Sequence, residues 1–534
     1  MTRILGIEGT AWCASASVHD TATDETFIES DAYEPDSGGI HPREAAEHMR
    51  EAIPQVVRAA RTHAESIAGD SEQAIDAIAF SQGPGLGPCL RIVATAARAL
   101  SLSLNVPLVG VNHMVAHLEI GRHQSGFESP VCLNASGANA HLLGYRGGRY
   151  RILGETMDTG VGNAIDKFTR HLGWSHPGGP KVEREARDGE YVPLPYVVKG
   201  MDFSFSGIMS AAKQAVDDGV PVEDVCFSLQ ETIFAMLTEV SERALSLTGT
   251  EELVLGGGVG QNARLREMLA AMCEARGARF HAPEPRFLRD NAGMIAVLGA
   301  RMYEAGETIP VEASAIDADF RPNQVAVRWD AGGDVAVARA ETDEVRGAEA
   351  VVTLGERVRK ARVGKSYRHP TLDERLRGER TRSEARLTSL ARREGVPTPV
   401  VFDVDDTDCA LTFERVGSRD LREALTEPAV RAVGRYLAAC HEAGFVHGDL
   451  TPRNARVTAT DDGPRVFLID FGLGYHTEHV EDYAMDLHVF EGSLAATSDE
   501  SDRLSEAFET GYESRGDPAV LAQLREIEGR GRYQ

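Results

Sequence analysis

Lysine is scarce in this chain. Only Lys167, Lys181, Lys199, Lys213, Lys360 and Lys365 are lysine among 56 basic residues, against 82 Asp and Glu, giving a net charge of −26. An acidic, lysine-poor surface of this kind stays hydrated in molar salt. A net negative protein repels nucleic acid, yet at about 1 M salt the Debye length falls to roughly 3 Å. Global charge therefore does not exclude an RNA substrate. Cysteine is also sparse: Cys13, Cys89, Cys132, Cys226, Cys273, Cys409 and Cys440 lie far apart with no C-x-x-C pair. That argues against a disulfide framework and a thiolate zinc site, and the cysteines read as small core residues. No run of eighteen apolar residues occurs and "MTRILGIEGTAW" has no apolar h-region, so a cytoplasmic protein with no membrane partner is expected.

At 534 residues, with 42% hydrophobic and 6% aromatic residues, the chain suggests two or three globular domains. Short β-branched runs ("RILGIEG", "AIDAIAFSQGPG", "VPLVGVNH", "VCLNASG", "EELVLGGG") alternate with helical patterns as far as about residue 325, which implies layered α/β architecture. Residues 326–346 are acidic, Gly/Ala-rich and aperiodic, and read as a linker. The division expected is 1–325, a linker over 326–346, and 347–534. Between Arg357 and Arg393, thirteen Arg or Lys face four Asp or Glu, a local excess of nine positive charges. That stretch reads either as a solvated helix laced with ion pairs or as an anion-binding face.

The second part carries phosphoryl-transfer chemistry. In "HGDLTPRN", Asp449 and Asn454 have the Asp-to-Asn interval of a kinase catalytic loop, giving a base and a metal ligand. In "IDFG", Asp470 would hold the second magnesium of Mg-ATP. Lys360 in "RVRKAR" is the candidate phosphate lysine, and Glu384 its ion-pair partner. No G-x-G-x-x-G precedes Lys360 and no A-P-E follows, so the phosphate cover and peptide-docking segment are reduced.

In the first part, "VNHMVAHLEIG" spaces His113 and His117 four apart, which puts both imidazoles on one face of a helix. Such pairs are often only structural. With a carboxylate such as Asp290 in "LRDNAGMIA" they make a two-His, one-carboxylate set suited to iron or zinc with open positions. "SQGPGLGP" is a tight turn or an anion site at a helix start. Gly258, Gly260 and Ala263 fit G-x-G-x-x-A, so a dinucleotide site is a further reading, although "SHPGGPK" has no role in it.

Two family resemblances follow. The stretches "ILGIEGTAWCASASV", "HMVAH", "ASGANAH", "GETMDTGVGNAIDKFTR", "HPGGPKVE", "FSFSGIMSA", "LVLGGGVGQNARLR" and "DNAGMIA", in order over residues 4–296, closely resemble the universal tRNA threonylcarbamoyladenosine transferase family, the catalytic subunit of the KEOPS complex. "YRHPTLDERLRGERTRSEARL", "GVPTP", "HGDLT" and "IDFGLG" resemble the small atypical KEOPS serine/threonine kinase over 346–534. The composition resembles that of proteins from salt-loving archaea. The resemblance implies an actin/hexokinase-like α/β ATPase fold of two similar lobes with a cleft, followed by a small α+β atypical kinase fold.

It further implies transfer of threonylcarbamoyl from threonylcarbamoyl-adenylate to N6 of the adenosine 3′ of the anticodon in tRNAs reading codons that begin with A. The metal, iron(II) with zinc as the alternative, goes to His113, His117 and Asp290. Asn134, Ala135, Ser136, Gly137, Ala138, Asp166, Gly179, Glu183 and Asn262 would hold the adenylate. Partners implied are tRNA, the other small KEOPS subunits and a separate adenylate synthase, with Arg530 and Arg532 of the tail as phosphate contacts. Asn134 stands where the archaeal family often has Tyr, and His141 where Gln is usual. The alternatives are an atypical protein kinase whose first domain is a nucleotide-binding regulatory module, and a metalloprotease. The latter requires Glu after the first His, where this chain has Met114.

Overall fold

The computed structural model describes residues 2–33, 41–69, 73–137, 139–146, 149–329, 344–460 and 463–530. In the first lobe, β1 (Arg3–Glu8), β2 (Cys13–Asp20), β3 (Glu25–Ala32), β4 (Ala77–Gly83) and β5 (Leu108–Asn112) lie in the order β3-β2-β1-β4-β5. β1, β2 and β3 form an antiparallel meander, and β4 and β5 extend it in parallel. All six residues of β1 are buried, as expected of a central strand covered on both faces. Its polar ends are satisfied locally, Arg3 by Asp20 at 2.8 Å.

The second lobe repeats this plan. β6 (Val131–Ala135), β7 (Ala140–Arg146) and β8 (Arg149–Glu155) form the meander; a short pair, β9 (Val198–Lys199) and β10 (Asp202–Phe203), intervenes. β11 (Glu252–Gly256) and β12 (Arg279–His281) then add in parallel, in the order β12-β11-β6-β7-β8. Meander first and parallel extension second, twice over, is the two-lobed actin/hexokinase-like arrangement expected above.

Two helices between the lobes place the chemistry. His113–Ser125 begins where the Asn112 side chain accepts from the backbone N–H of Met114 and Val115, a side-chain cap that fixes the register of His113. It is buried all round from His113 to Arg122, so it packs into the interior and has no solvent face. Ala292–Glu304, capped by Asn291, is likewise buried on nearly every side. It lies so close to β1 that a Cβ on Gly6 would come within 2.6 Å of the Ala292 carbonyl.

The kinase half opens with an antiparallel sheet of β13 (Glu344–Arg346), β14 (Ala350–Leu354), β15 (Arg357–Arg362), β16 (Val401–Asp405) and β17 (Ala410–Glu414), in the order β13-β14-β15-β17-β16. The helix Pro370–Arg393 packs beside it, and a helical lobe of Glu427–Glu442, Val480–Thr497, Ser501–Glu513 and Pro518–Arg530 follows around its own apolar core. Of the stretch read as a linker, Val327 packs against the first part's core and Glu344–Arg346 is the kinase sheet's edge strand, while 330–343 lie outside the described residues. All seven cysteines are free and buried. Among the described residues no helix is long and apolar enough to cross a membrane.

Candidate metal centre and kinase site

His113 and His117 face Asp290, which immediately precedes the second interlobe helix. Each imidazole Nε2 lies 3.4 Å from Asp290 Oδ1, and one ligand atom from each of the three residues falls within 4.8 Å of the others. It is the one such group among the described residues. Both ring nitrogens of His117 are buried without a hydrogen-bond partner, an expensive state unless something else binds them. Burial disfavours a charged His113, but the carboxylates of Glu8 and Asp290 together hold it up to about 10. Desolvation opposes the charge of Asp290 in turn, yet the two imidazoles hold its carboxyl far below the usual range. Burial lowers His117. The pocket favours positive charge between its acids, the charge a divalent ion supplies, and the donor set fits such an ion.

The rim expected to hold the adenylate is brought together as a chain of contacts. Asn134, next to last in β6, lies beside the histidine cluster: a Cβ on Gly256 would sit 3.3 Å from His117 Cβ and 3.4 Å from Asn134 Oδ1. Asn134 Oδ1 is buried and unpartnered, and its Nδ2 lies 3.6 Å from Met114 Sδ. Gly257 has φ +83°, where a side chain would strike the Ala135 carbonyl, so the turn after β11 is open only to glycine. The Ser136 and Gly137 carbonyls accept from Gly162 and Asn163 at the start of the helix Val161–His171. Asp166 of that helix accepts from Gly178 N–H at 2.7 Å and pairs with His176 at 3.0 Å, fixing the loop that leads to Gly179. Glu183 accepts from Ala263 N–H at 2.9 Å, and Asn262 caps the helix Ala263–Arg276 while donating to Gln230 at 3.0 Å. Ala138 lies outside the described residues.

In the kinase half, Lys360 Nζ contacts Glu384 at 2.8 Å and Asp470 at 2.6 Å, so β15, the long helix and the "IDFG" segment converge. Asn454 donates to the Asp449 carbonyl at 2.7 Å. Lys360 and Arg362 hold Asp470 down at about 2 despite burial, whereas burial raises Asp449 to about 7 against the pull of Arg243.

That arginine belongs to the first part. On the buried helix Val222–Thr248, Arg243 reaches Asp449 at 2.9 Å, Glu349 at 2.6 Å and Glu239 at 3.0 Å. Glu239 receives Arg368 at 2.5 Å and Arg380 at 3.1 Å, and Glu242 receives Lys365 at 2.6 Å. Four of the cations counted over 357–393, Arg362, Lys365, Arg368 and Arg380, thus meet Glu239, Glu242 and Glu349, acids outside that stretch, inside the molecule. Arg382, Arg386, Arg392 and Arg393 remain exposed. Neither Arg243 nor two residues flanking the metal centre, Glu8 and Trp12, was singled out by sequence. "ILGIEGTAW" contains the latter pair, but its pattern gives them no role.

Residues 22–297 match the tRNA N6-adenosine threonylcarbamoyltransferase (TsaD) family, and residues 407–512 match the lipopolysaccharide kinase (Kdo/WaaP) family. Relatives named probable bifunctional tRNA threonylcarbamoyladenosine biosynthesis protein align end to end: 69% identity in Haloarcula marismortui, over 100% of both chains, and 71% in Natronomonas pharaonis, also over 100% of both. The chain belongs to this bifunctional threonylcarbamoyladenosine biosynthesis family. In Methanosarcina mazei the family member is 47% identical over 100% of this chain and 99% of its own. Among solved structures, HypF of T. kodakarensis aligns with TM-score 0.41 at 14% identity, over 57% of this chain and 48% of its own. The family makes the chain a TsaD-type transferase with a fused kinase domain, so the expectation of two joined enzymes holds and the regulatory-module reading falls away.

Proposed function

We propose that the transferase half moves threonylcarbamoyl from threonylcarbamoyl-adenylate to the exocyclic N6 of the adenosine 3′ of the anticodon, in tRNAs reading codons that begin with A. The observation that carries the reading is the cluster of His113, His117 and Asp290, whose His117 nitrogens are buried without a hydrogen bond. These three would hold a divalent ion, iron(II) with zinc as the alternative, which supplies Lewis-acid polarisation and orientation of the adenylate when bound.

The chain's own groups do the rest. Glycines at 137, 179 and 257 allow close backbone approach to a phosphate. Asp166 and Glu183 carry acceptor oxygens for ribose or amine hydrogens, and Asn262 ties the rim to the helix start. Holding acyl donor and tRNA together makes the step effectively unimolecular. The adenosine nitrogen attacks the carbonyl carbon, AMP departs with its oxygen, and the N6 proton passes to solvent. No side chain at the site is assigned as nucleophile.

The kinase half would bind Mg-ATP, with Lys360 held by Glu384, Asn454 and Asp470 as metal ligands and Asp449 orienting the attacking water or hydroxyl. Its hydrolysis would drive the conformational cycle or tRNA release, with the small KEOPS subunits and a separate adenylate synthase as partners. Exposed arginines such as Arg382 and Arg386 would meet tRNA phosphates; the tail 531–534 lies outside the described residues. Mass spectrometry of nucleosides from tRNA incubated with the chain, adenylate and partner subunits tests both halves. Threonylcarbamoyladenosine should form, stall after few turnovers in Asp449→Ala, and be lost in His117→Ala. Full activity in His117→Ala would overturn the metal reading.

A further inference from the structure

The geometry points to Glu8 and Trp12, which flank the turn from β1 to β2, as positioning residues of the metal centre: Glu8 sets the tautomer of His113 and Trp12 sets the rotamer of Asp290. The inference rests on the metal reading above. Glu8 is fully buried, and both of its oxygens are engaged. Oε1 accepts the Thr10 N–H at 2.8 Å, and Oε2 lies 3.1 Å from His113 Nδ1. A carboxylate can only accept there, so Nδ1 carries a proton whether or not the ring is charged, and Nε2, facing Asp290, is the nitrogen left for an ion. Trp12 Nε1–H donates to Asp290 Oδ2 at 3.0 Å, which leaves Oδ1 as the oxygen offered to both histidines.

His113 and Asp290 therefore each have one atom occupied by the turn and one presented to the ion. This is how outer groups fix ring orientation and raise ligand basicity at metal sites. The turn is itself clamped. Leu86 N–H donates to the Thr10 carbonyl at 2.7 Å. Ser17 Oγ donates to the Ala292 carbonyl at 2.6 Å, while Ser15 Oγ accepts from Ala292 N–H at 3.1 Å. Those last bonds hold β2 against the helix that follows Asp290, so Trp12 and Asp290 keep a fixed spacing. Only one Glu8 oxygen serves the turn, through Thr10 N–H, and the other is committed to His113.

The test is metal affinity, read apart from transfer. The full chain, stripped with a chelator, is titrated with Zn²⁺, and with Fe²⁺ under anaerobic conditions, in competition with a chromogenic chelator. Glu8→Ala should weaken binding about 10- to 100-fold. Glu8→Gln, whose amide oxygen still accepts the Nδ1 proton, should stay close to wild type, and Trp12→Phe should lose about tenfold. Wild-type affinity in Glu8→Ala overturns the inference. If Glu8→Ala does not fold, Glu8→Asp with Trp12→Phe decides the matter, wild-type affinity in both overturning it. Equal binding by wild type and His117→Ala is a different failure: the metal reading itself would fall.

Discussion

At the transferase half's histidine cluster, His117 keeps two buried nitrogens without a hydrogen bond, Nε2 3.4 Å from Asp290, while around the kinase lysine three acids already have a cation from the chain. Asp470 has Lys360; Glu384 has Lys360 and Arg362; Asp449 has Arg243. A pocket built to receive a cation leaves ligands in want of one. A pocket built to receive a polyanion with its magnesium keeps its own positive charge in place and offers it in exchange. On the proposed function the two centres differ in which sign of charge arrives from outside, although both are rich in carboxylates.

The largest test of that contrast is removal of the ligands. His113→Ala with His117→Ala should lower threonylcarbamoyladenosine formation at least about 10⁴-fold, assayed by nucleoside mass spectrometry. ATP hydrolysis should persist, because Lys360, Glu384 and Asp470 do not touch that pocket. Loss of both activities together would show that the centres are not separable. Next comes Arg243→Ala, which leaves Asp449 without its cation, while Glu239 and Glu349 keep Arg368, Arg380 and Arg362. Breaking a buried pair typically costs about 3–5 kcal/mol, here from the docking of the two halves. Hydrogen exchange should then rise across 239–249 and 447–454, and unchanged protection would mean that the halves are held by other contacts. Lys360→Met should cut ATP hydrolysis about 10²-fold with transfer of the first acyl group unaffected, since a single turnover does not need the cycle to reset.

How far the sequence reached follows the range of each interaction. The two-histidine spacing needs only one helix turn, so His113 and His117 were legible; the catalytic loop and "IDFG" are local motifs, and Asp449, Asn454 and Asp470 were legible for the same reason. The alternation of apolar runs showed a layered α/β domain, whereas the two-lobed repeat came from the family resemblance alone. Trp12 and Asp290 are 278 residues apart, and Arg243 and Asp449 are 206 apart. No periodicity connects such pairs, and only the folded lobes bring them together. The basic stretch over 357–393 was open to two readings for the same reason: the partners Glu239 and Glu242 of Arg368, Arg380 and Lys365 lie on a helix more than a hundred residues earlier. Lys360 and Glu384 form a pair with the geometry expected, because β15 and the following helix are neighbours in sequence as well as in space.

The smallest expected effect extends the contrast to an acid with no cation of its own. Glu491, on the helix Val480–Thr497, is buried beside Glu509 and Glu528. Burial first, then those two carboxylates, raises its carboxyl from 4.5 to about 9, and it shares a hydrogen bond with Glu509. Arg525 is bound to Glu509 and leaves Glu491 the proton. The folded chain therefore binds a proton that the unfolded chain has released between about pH 4.5 and 9. The stabilisation is complete below the lower value and is lost as pH rises through the upper one. Glu491→Gln keeps a neutral donor at every pH, so it should raise the kinase-half melting temperature by about 2–4 °C at pH 9 and leave it unchanged at pH 5. An equal shift at both pH values would mean that packing, not the retained proton, accounts for the gain.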